Sequence, residues 1–370
     1  MSPTPNPTLQ ALSSDGVAVW LDALRRSWIA DGTLAAWRDE YVLHGVTTNP
    51  AIFGDAFKTD EYDEQIESLA QDGLDARSIY QAIATQDVRD ACDVFRPVFD
   101  ATGGADGFVS LEVDPDLARD ADKTIAQAIE YHGRVDRPNL MIKIPGTPEG
   151  LPAIEEVLYR GINVNVTLLF SVEAYAAVLE AWLKALERRH AEGLDLGVDS
   201  VASFFVSRVD LEVDKRLAGN PQEEALRGTA AVANARAAYA KYLEIRQGER
   251  FAKLSAAGAR PQRPLWASTG VKDPSYSPTK YVDTLVAAES VNTMPLATIQ
   301  ATAASGAEIV AGTAAIDPTG DLAALAEAGI DLSDVTDVLL GEGIAKFEVP
   351  MNELLETVES KRAAAVAAKA

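Results

Sequence analysis

Apolar runs of six to eight residues alternate along the chain with longer stretches in which apolar positions recur every three or four residues, the periods of strand and helix. Eight runs read as strands: Val17–Asp22, Val42–Thr48, Gly107–Val113, Asn139–Pro145, Gly161–Thr167, Ser200–Ser207, Pro264–Thr269 and Glu289–Met294. Helical patterns fill the intervals at Ile79–Phe99, Pro115–Arg134, Val172–His190, Pro221–Gln247, Thr279–Ala287 and Leu296–Ala304, with alanine-rich interiors and Asp, Ser or Pro at several starts. Strand then helix, repeated eight times, predicts a closed (β/α)8 (TIM) barrel with extra helices. The rival is an open doubly wound sheet, which usually carries a Gly-rich phosphate turn after its first strand. Here Val17–Asp22 is followed by Ala23-Leu-Arg-Arg26.

The chain is expected to form one barrel domain over 1–370. Residues 208–263 are long for a single connection and read as a helical elaboration between the sixth and seventh strands. Residues 318–370 read as a C-terminal helical segment, and Val349–Ala370 has the amphipathic spacing to pack across one barrel end. Residues 1–10, which open Met1-Ser-Pro-Thr-Pro-Asn-Pro-Thr8, read as a disordered arm.

Strands of a parallel barrel are buried on both faces, so each polar interruption must be satisfied or used. The interruptions gather near the C-terminal strand ends, where such barrels build their active sites. They are Asp22, the Thr47-Thr48-Asn49 run, Glu112, Lys143, Asn165 with Thr167, and Ser203. Alternation puts Phe108, Ser110 and Glu112 on one face, as it does Asn163, Asn165 and Thr167, and likewise Ser203 and Phe205.

Lys143 is the most informative of these. It lies within Asn139-Leu-Met-Ile-Lys-Ile-Pro145, sharing a face with Met141 and Pro145, so its amine is aimed into the interior. Burial lowers a lysine's pKa, by up to roughly 3–5 units when complete, and so supplies the neutral amine that attacks ketones. The bland alternative is a lysine whose stem packs on apolar neighbours while its head reaches water. Asp22 likewise fits either an acid/base or an N-cap of the next helix. Glu112, between Leu111 and Val113, is harder to explain structurally. Two carboxyls and a buried amine are what amine–carbonyl chemistry requires, with no need of a metal or cofactor.

Composition narrows the partners. A formal charge of −23 over 370 residues disfavours nucleic acid and anionic membrane surfaces, and an anionic substrate would need a local basic pocket. Cys92 stands alone, so no internal disulfide forms, and His44, His132 and His190 are too scattered to suggest a metal motif. With no signal-like or long apolar stretch, a reduced cytoplasmic protein is expected.

Five segments resemble those of the transaldolase family: Gly45-Val-Thr-Thr-Asn-Pro-Ala51, Leu111-Glu-Val-Asp114, Met141-Ile-Lys-Ile-Pro145, Gly161-Ile-Asn-Val-Asn-Val-Thr-Leu-Leu-Phe-Ser171 and Ser203-Phe-Phe-Val-Ser-Arg208. The resemblance implies that Lys143 forms a Schiff base, Asp22 takes the hydroxyl proton that triggers carbon–carbon cleavage, and Glu112 with Thr167 positions a water. It further implies that Asn49, Asn165, Ser203 and, more weakly, Thr47 hydrogen-bond a dihydroxyacetone unit, and that Arg208 binds a sugar phosphate. One departure stands out: Ala267-Ser-Thr-Gly-Val-Lys272 occupies the place of the family's Ala-Ser-Phe-Arg, so Ser268 and Lys272 are assigned to the phosphate instead. Related enzymes that release free dihydroxyacetone carry tyrosine where this chain has Phe205, which favours transfer over release. The rivals are an aldolase that cleaves fructose 6-phosphate and a sugar-phosphate-binding barrel without turnover. The oligomeric state is open, with a homodimer among the options.

Overall fold

In the computed structural model, which describes residues 3–367, all eight expected strands form. They are β1 (Val17–Leu21), β2 (Leu43–Thr47), β3 (Phe108–Glu112), β4 (Leu140–Pro145), β5 (Val164–Leu169), β6 (Ser200–Phe205), β7 (Arg263–Ala267) and β8 (Ser290–Met294). Each pairs in parallel with its successor and β8 returns to β1, so the sheet closes on itself. Continuous apolar strands are what closure demands, because helices cover the outer face while side chains fill the inner one.

Two local devices shape this barrel. Gly45 in β2 leaves room for the indole of Trp20 on β1, since a Cβ there would lie 2.6 Å from the ring and 2.7 Å from the Phe108 carbonyl oxygen. Any larger residue would push β2 away from both neighbours. In β5 the register with β6 shifts between Val166 and Leu169, and Leu168 takes a left-handed φ of 61°. Such a bulge bends the strand and re-aims side chains beside it, here Thr167.

The helices depart from expectation at a few points. The predicted Pro221–Gln247 breaks into Glu223–Leu226 and Ala230–Arg246 around Gly228, whose φ of 74° a helix cannot contain. Only Lys280–Asp283 of Thr279–Ala287 is helical. Between β6 and β7 lie four helices: Ser207–Leu217, Glu223–Leu226, Ala230–Arg246 and Glu249–Ala256.

The N-terminal stretch corrects the expected disordered arm. Residues 1 and 2 lie outside the described residues, but Pro7–Ser14 is a helix. Asn6 caps it by accepting from the backbone N–H groups of Thr8 and Leu9, Pro7 suits the first turn, and Leu9 and Leu12 are buried. Two leucines in so short a helix are a weak signal next to three prolines, which is why the composition reads as coil.

The C-terminal helix runs from Leu332 to Ala367, beginning 17 residues before the amphipathic stretch expected from Val349 and passing through Gly341, Gly343 and Pro350. The expectation for 368–370 lies outside the described residues. This helix packs on the helices Pro50–Phe57, Asp63–Gln71 and Ala76–Ala101 and touches β5, so it lies across the C-terminal barrel end. Met351, Leu354 and Val358 bury its contact face. Among the described residues no helix is long and apolar enough to cross a membrane.

Candidate active site

Parallel register builds the centre of the site. Glu112 on β3 pairs with Lys143 on β4, and Lys143 pairs with Asn165 on β5, so three polar side chains stand side by side in one layer of the barrel. Lys143 is the only buried lysine among the described residues, at 5% exposure. Its Nζ donates to the Thr48 carbonyl at 2.8 Å and to Glu112 Oε2 at 3.4 Å. Burial, with the charge of Asp22 adding and that of Lys143 opposing, pushes the Glu112 carboxyl up to about 7. A carboxyl that titrates near neutrality can both give and take a proton at working pH.

Asp22, at the exit of β1, is half-buried and does not cap a helix; the next helix starts at Arg26. Its Oδ1 accepts the Thr47 hydroxyl at 2.7 Å, and that hydroxyl also meets Thr293 Oγ1 at 2.7 Å. On the opposite wall, the Ser203 hydroxyl donates to Asn165 Oδ1 at 2.7 Å, and Asn165 Nδ2 donates to Ser110 Oγ at 3.1 Å. Thr167 Oγ1 is fully buried and has no hydrogen-bond partner among the described residues.

These groups surround a cavity of about 180 Å3 at the C-terminal barrel end. Of the sequence-derived candidates, Asp22, Thr47, Asn49, Lys143, Thr167, Ser203, Phe205, Arg208, Ser268 and Lys272 line it. Glu112 and Asn165 lie behind the lining, in contact with it through Lys143 and Ser203. Asn49 also has a structural role, because its Oδ1 caps the helix Pro50–Phe57 by accepting from the Ile52 N–H. Asn163 does not join the cavity. It precedes β5 and ties loops at the other end, donating to the carbonyls of Pro138 and Leu140 and accepting from the Asp199 N–H.

Two cations flank the mouth. Arg208 lies in the first turn of the helix after β6, its guanidinium 5.4 Å from the Phe205 ring centre, with one terminal nitrogen buried and unpartnered among the described residues. Burial lowers its pKa, opposed by Glu342. Lys272, exposed over much of its surface, is also lowered, first by desolvation and then by the charge of Arg208. Two positive groups lining one mouth make a place for an anion. Ser268, held at a left-handed φ of 55°, joins its hydroxyl to that of Ser207 at 3.1 Å. A second cavity of about 410 Å3 adjoins the first through Lys272.

Sequence reasoning missed three contributors. The Thr48 carbonyl is main chain, which no side-chain pattern reports. Thr293 lies in the buried strand Ser290-Val-Asn-Thr-Met294, whose three polar positions are a usable signal. Phe347 comes from the C-terminal helix, and no local pattern links it to the cavity it lines. Among the described residues no cluster of three or more His, Cys, Asp or Glu has the geometry to hold a metal.

Comparison with known proteins agrees with this geometry. The family model described as Transaldolase/Fructose-6-phosphate aldolase matches residues 19–358. A protein named Transaldolase from Saccharopolyspora erythraea is 52% identical over 363 residues, covering 97% of this chain and 98% of that one. Transaldolase 1 of Streptomyces avermitilis is 53% identical over 357 residues, 95% and 94% of the two chains. The Mycolicibacterium smegmatis protein named Transaldolase is 52% identical over 368 residues, 97% and 99%. A match across nearly the whole chain, on a closed eight-stranded barrel with a buried lysine at its mouth, means that the chain belongs to the transaldolase/fructose-6-phosphate aldolase family.

Proposed function

We propose that this chain is a transaldolase. It moves a dihydroxyacetone unit from a ketose phosphate, sedoheptulose 7-phosphate or fructose 6-phosphate, to an aldose phosphate, glyceraldehyde 3-phosphate or erythrose 4-phosphate. The reaction belongs to the pentose phosphate pathway and its setting is the cytoplasm. The observation that carries this reading is the amine of Lys143, shielded from water, 3.4 Å from a carboxyl poised near neutrality and facing a cavity with a second carboxyl on its wall.

The Nζ of Lys143, once it has given up its proton, adds to the C2 carbonyl of the donor, and Glu112, through a water shared with Thr167, supplies the proton that lets hydroxide leave as water. The hydroxyl of Thr167 has no partner among the described residues, which suits it to holding that water. In the resulting iminium, Asp22 takes the C4 hydroxyl proton, the C3–C4 bond breaks, and its electrons neutralise the nitrogen as an enamine. The Thr47 hydroxyl donates to Asp22 and so helps to orient it. Ser203, positioned by Asn165, and Asn49 hold the three-carbon unit, while Arg208, Ser268 and Lys272 receive the phosphate. The acceptor aldehyde then reverses the cleavage on a new carbon skeleton. The phenyl ring of Phe205 offers no hydroxyl to hold a protonating water, which favours transfer over release of free dihydroxyacetone.

The test is reduction with borohydride in the presence of fructose 6-phosphate, followed by peptide mapping. A reduced three-carbon adduct on Lys143, absent in Lys143→Ala, is expected. An adduct on another residue would overturn the assignment.

A further inference from the structure

We propose that Phe347, on the C-terminal helix, sets how the enamine on Lys143 divides between transfer and loss to water. This rests on the reading of Lys143 as the Schiff-base amine and concerns the fate of the three-carbon unit after cleavage. The ring of Phe347 lines the cavity with its centre 5.7 Å from Lys143 Nζ, and among the described residues it is the one aromatic lining the cavity that comes from outside the barrel and its loops.

Its position comes from the helix's seat. Gly343, one turn earlier on the same face, lies so close to the end of β5 that a Cβ there would stand 3.0 Å from Leu168 Cδ2 and 3.4 Å from Phe170 Cε2. The Leu168 side is itself set by the β5 bulge, so the distortion beside Thr167 and the docking of Gly343 share one contact. Ion pairs tie the helix at each end: Arg216 to Asp334 at 2.6 Å, and Lys361 to Asp63 at 2.5 Å. Buried Met351, Leu354 and Val358 hold it between. Phe347, itself half-buried, is therefore a hydrocarbon cover over an amine whose hydrogen-bond partners, the Thr48 carbonyl and Glu112, are polar.

Loss to water needs access at that spot. The enamine carbon takes a proton to give the iminium, a water oxygen adds to C2 and releases a proton, and the C–N bond breaks with its electron pair returning to Nζ. One water is consumed, and free dihydroxyacetone and the amine are produced. Transfer consumes no water, so a hydrocarbon cover slows one branch only.

The experiment compares wild type, Phe347→Ala and Phe347→Leu with fructose 6-phosphate, with and without erythrose 4-phosphate. It measures free dihydroxyacetone formed per unit transferred, and traps the Lys143 adduct with borohydride in parallel. The ratio is expected to rise about tenfold in Phe347→Ala and to fall back toward wild type in Phe347→Leu, a graded response that a simple loss of folding would not give. Should the alanine variant fail to show a cooperative melt, the leucine variant alone decides, with a higher ratio than wild type expected. An unchanged ratio in enzyme that still forms the Lys143 adduct overturns this proposal alone. The lack of any Lys143 adduct in wild type overturns the Schiff-base reading as well.

Discussion

Glu112 shows what one position in a barrel can do. A carboxyl on an exposed loop titrates near its ordinary value, but burial between β2 and β4 raises this one to about 7. In the proposed mechanism Glu112 is the acid that dehydrates the carbinolamine and must carry its proton, so the rate of imine formation should decline as pH rises through about 7. Glu112→Gln should be slower by about 10²–10⁴-fold and should lack that break. The same shift bears on stability. From the unfolded value upward, the folded state keeps a proton that the unfolded chain has released, so the group's contribution is full at low pH and is lost as pH climbs through about 7. Rates of borohydride trapping from pH 5 to 9 and melting midpoints over the same range check both statements; an identical pH break in wild type and variant would remove Glu112 from the mechanism. Lys143 and Glu112 were legible in the sequence because a charge inside an alternating apolar run has no cheap structural explanation. Thr293 was half-legible, since threonine is common in strands. Phe347 was illegible, because its partner is 204 residues away and an aromatic on an amphipathic helix reads as ordinary core.

Elements were legible where their period was long and clean. All eight strands fall within three residues of the expected bounds, since burial on both faces leaves a largely apolar signature even where polar residues interrupt it. Helices failed where backbone conformation rather than periodicity decides, as at Gly228, or where capping compensates for a short apolar face, as at Pro7–Ser14. The C-terminal helix is the clearest case. Gly341, Gly343 and Pro350 argue locally against helix, yet packing across the barrel end carries the element through all three. The two glycines should then behave oppositely on substitution. A Cβ at Gly341 meets nothing within 4 Å, so Gly341→Ala should stabilise by about 0.5–1 kcal/mol through reduced backbone freedom. Gly343→Leu must displace Leu168 and Phe170 and should destabilise by about 1–3 kcal/mol. Denaturant midpoints separate them, and equal effects at the two positions would mean that Gly343 is not a contact point.

At the scale of the whole molecule, 33 basic against 56 acidic residues leave a formal charge of −23, a long-range field that repels a sugar phosphate. The composition was legible at once, but its reversal at one spot was not, because it depends on where β6 and β7 deliver two side chains. Arg208 lowers the pKa of Lys272, and both line one cavity mouth, so two cations stand together inside a negative envelope. Arg208→Ala should remove charged hydrogen bonds of about 1.5–3 kcal/mol, raising KM for fructose 6-phosphate about 10–100-fold while leaving that for unphosphorylated fructose nearly unchanged. With the guanidinium gone, the phosphate meets the long-range repulsion with only Lys272 to oppose it. Raising monovalent salt from about 0.01 to 0.15 M shortens the screening length from about 30 to 8 Å. It therefore weakens the distant envelope more than any contact within the cleft, and should lower the variant's KM by a larger factor than the wild type's. Steady-state kinetics of both proteins at the two salt concentrations decide the matter. If KM shifts equally for the phosphorylated and unphosphorylated sugars, Arg208 is not the phosphate ligand, and the molecule must overcome its own charge elsewhere.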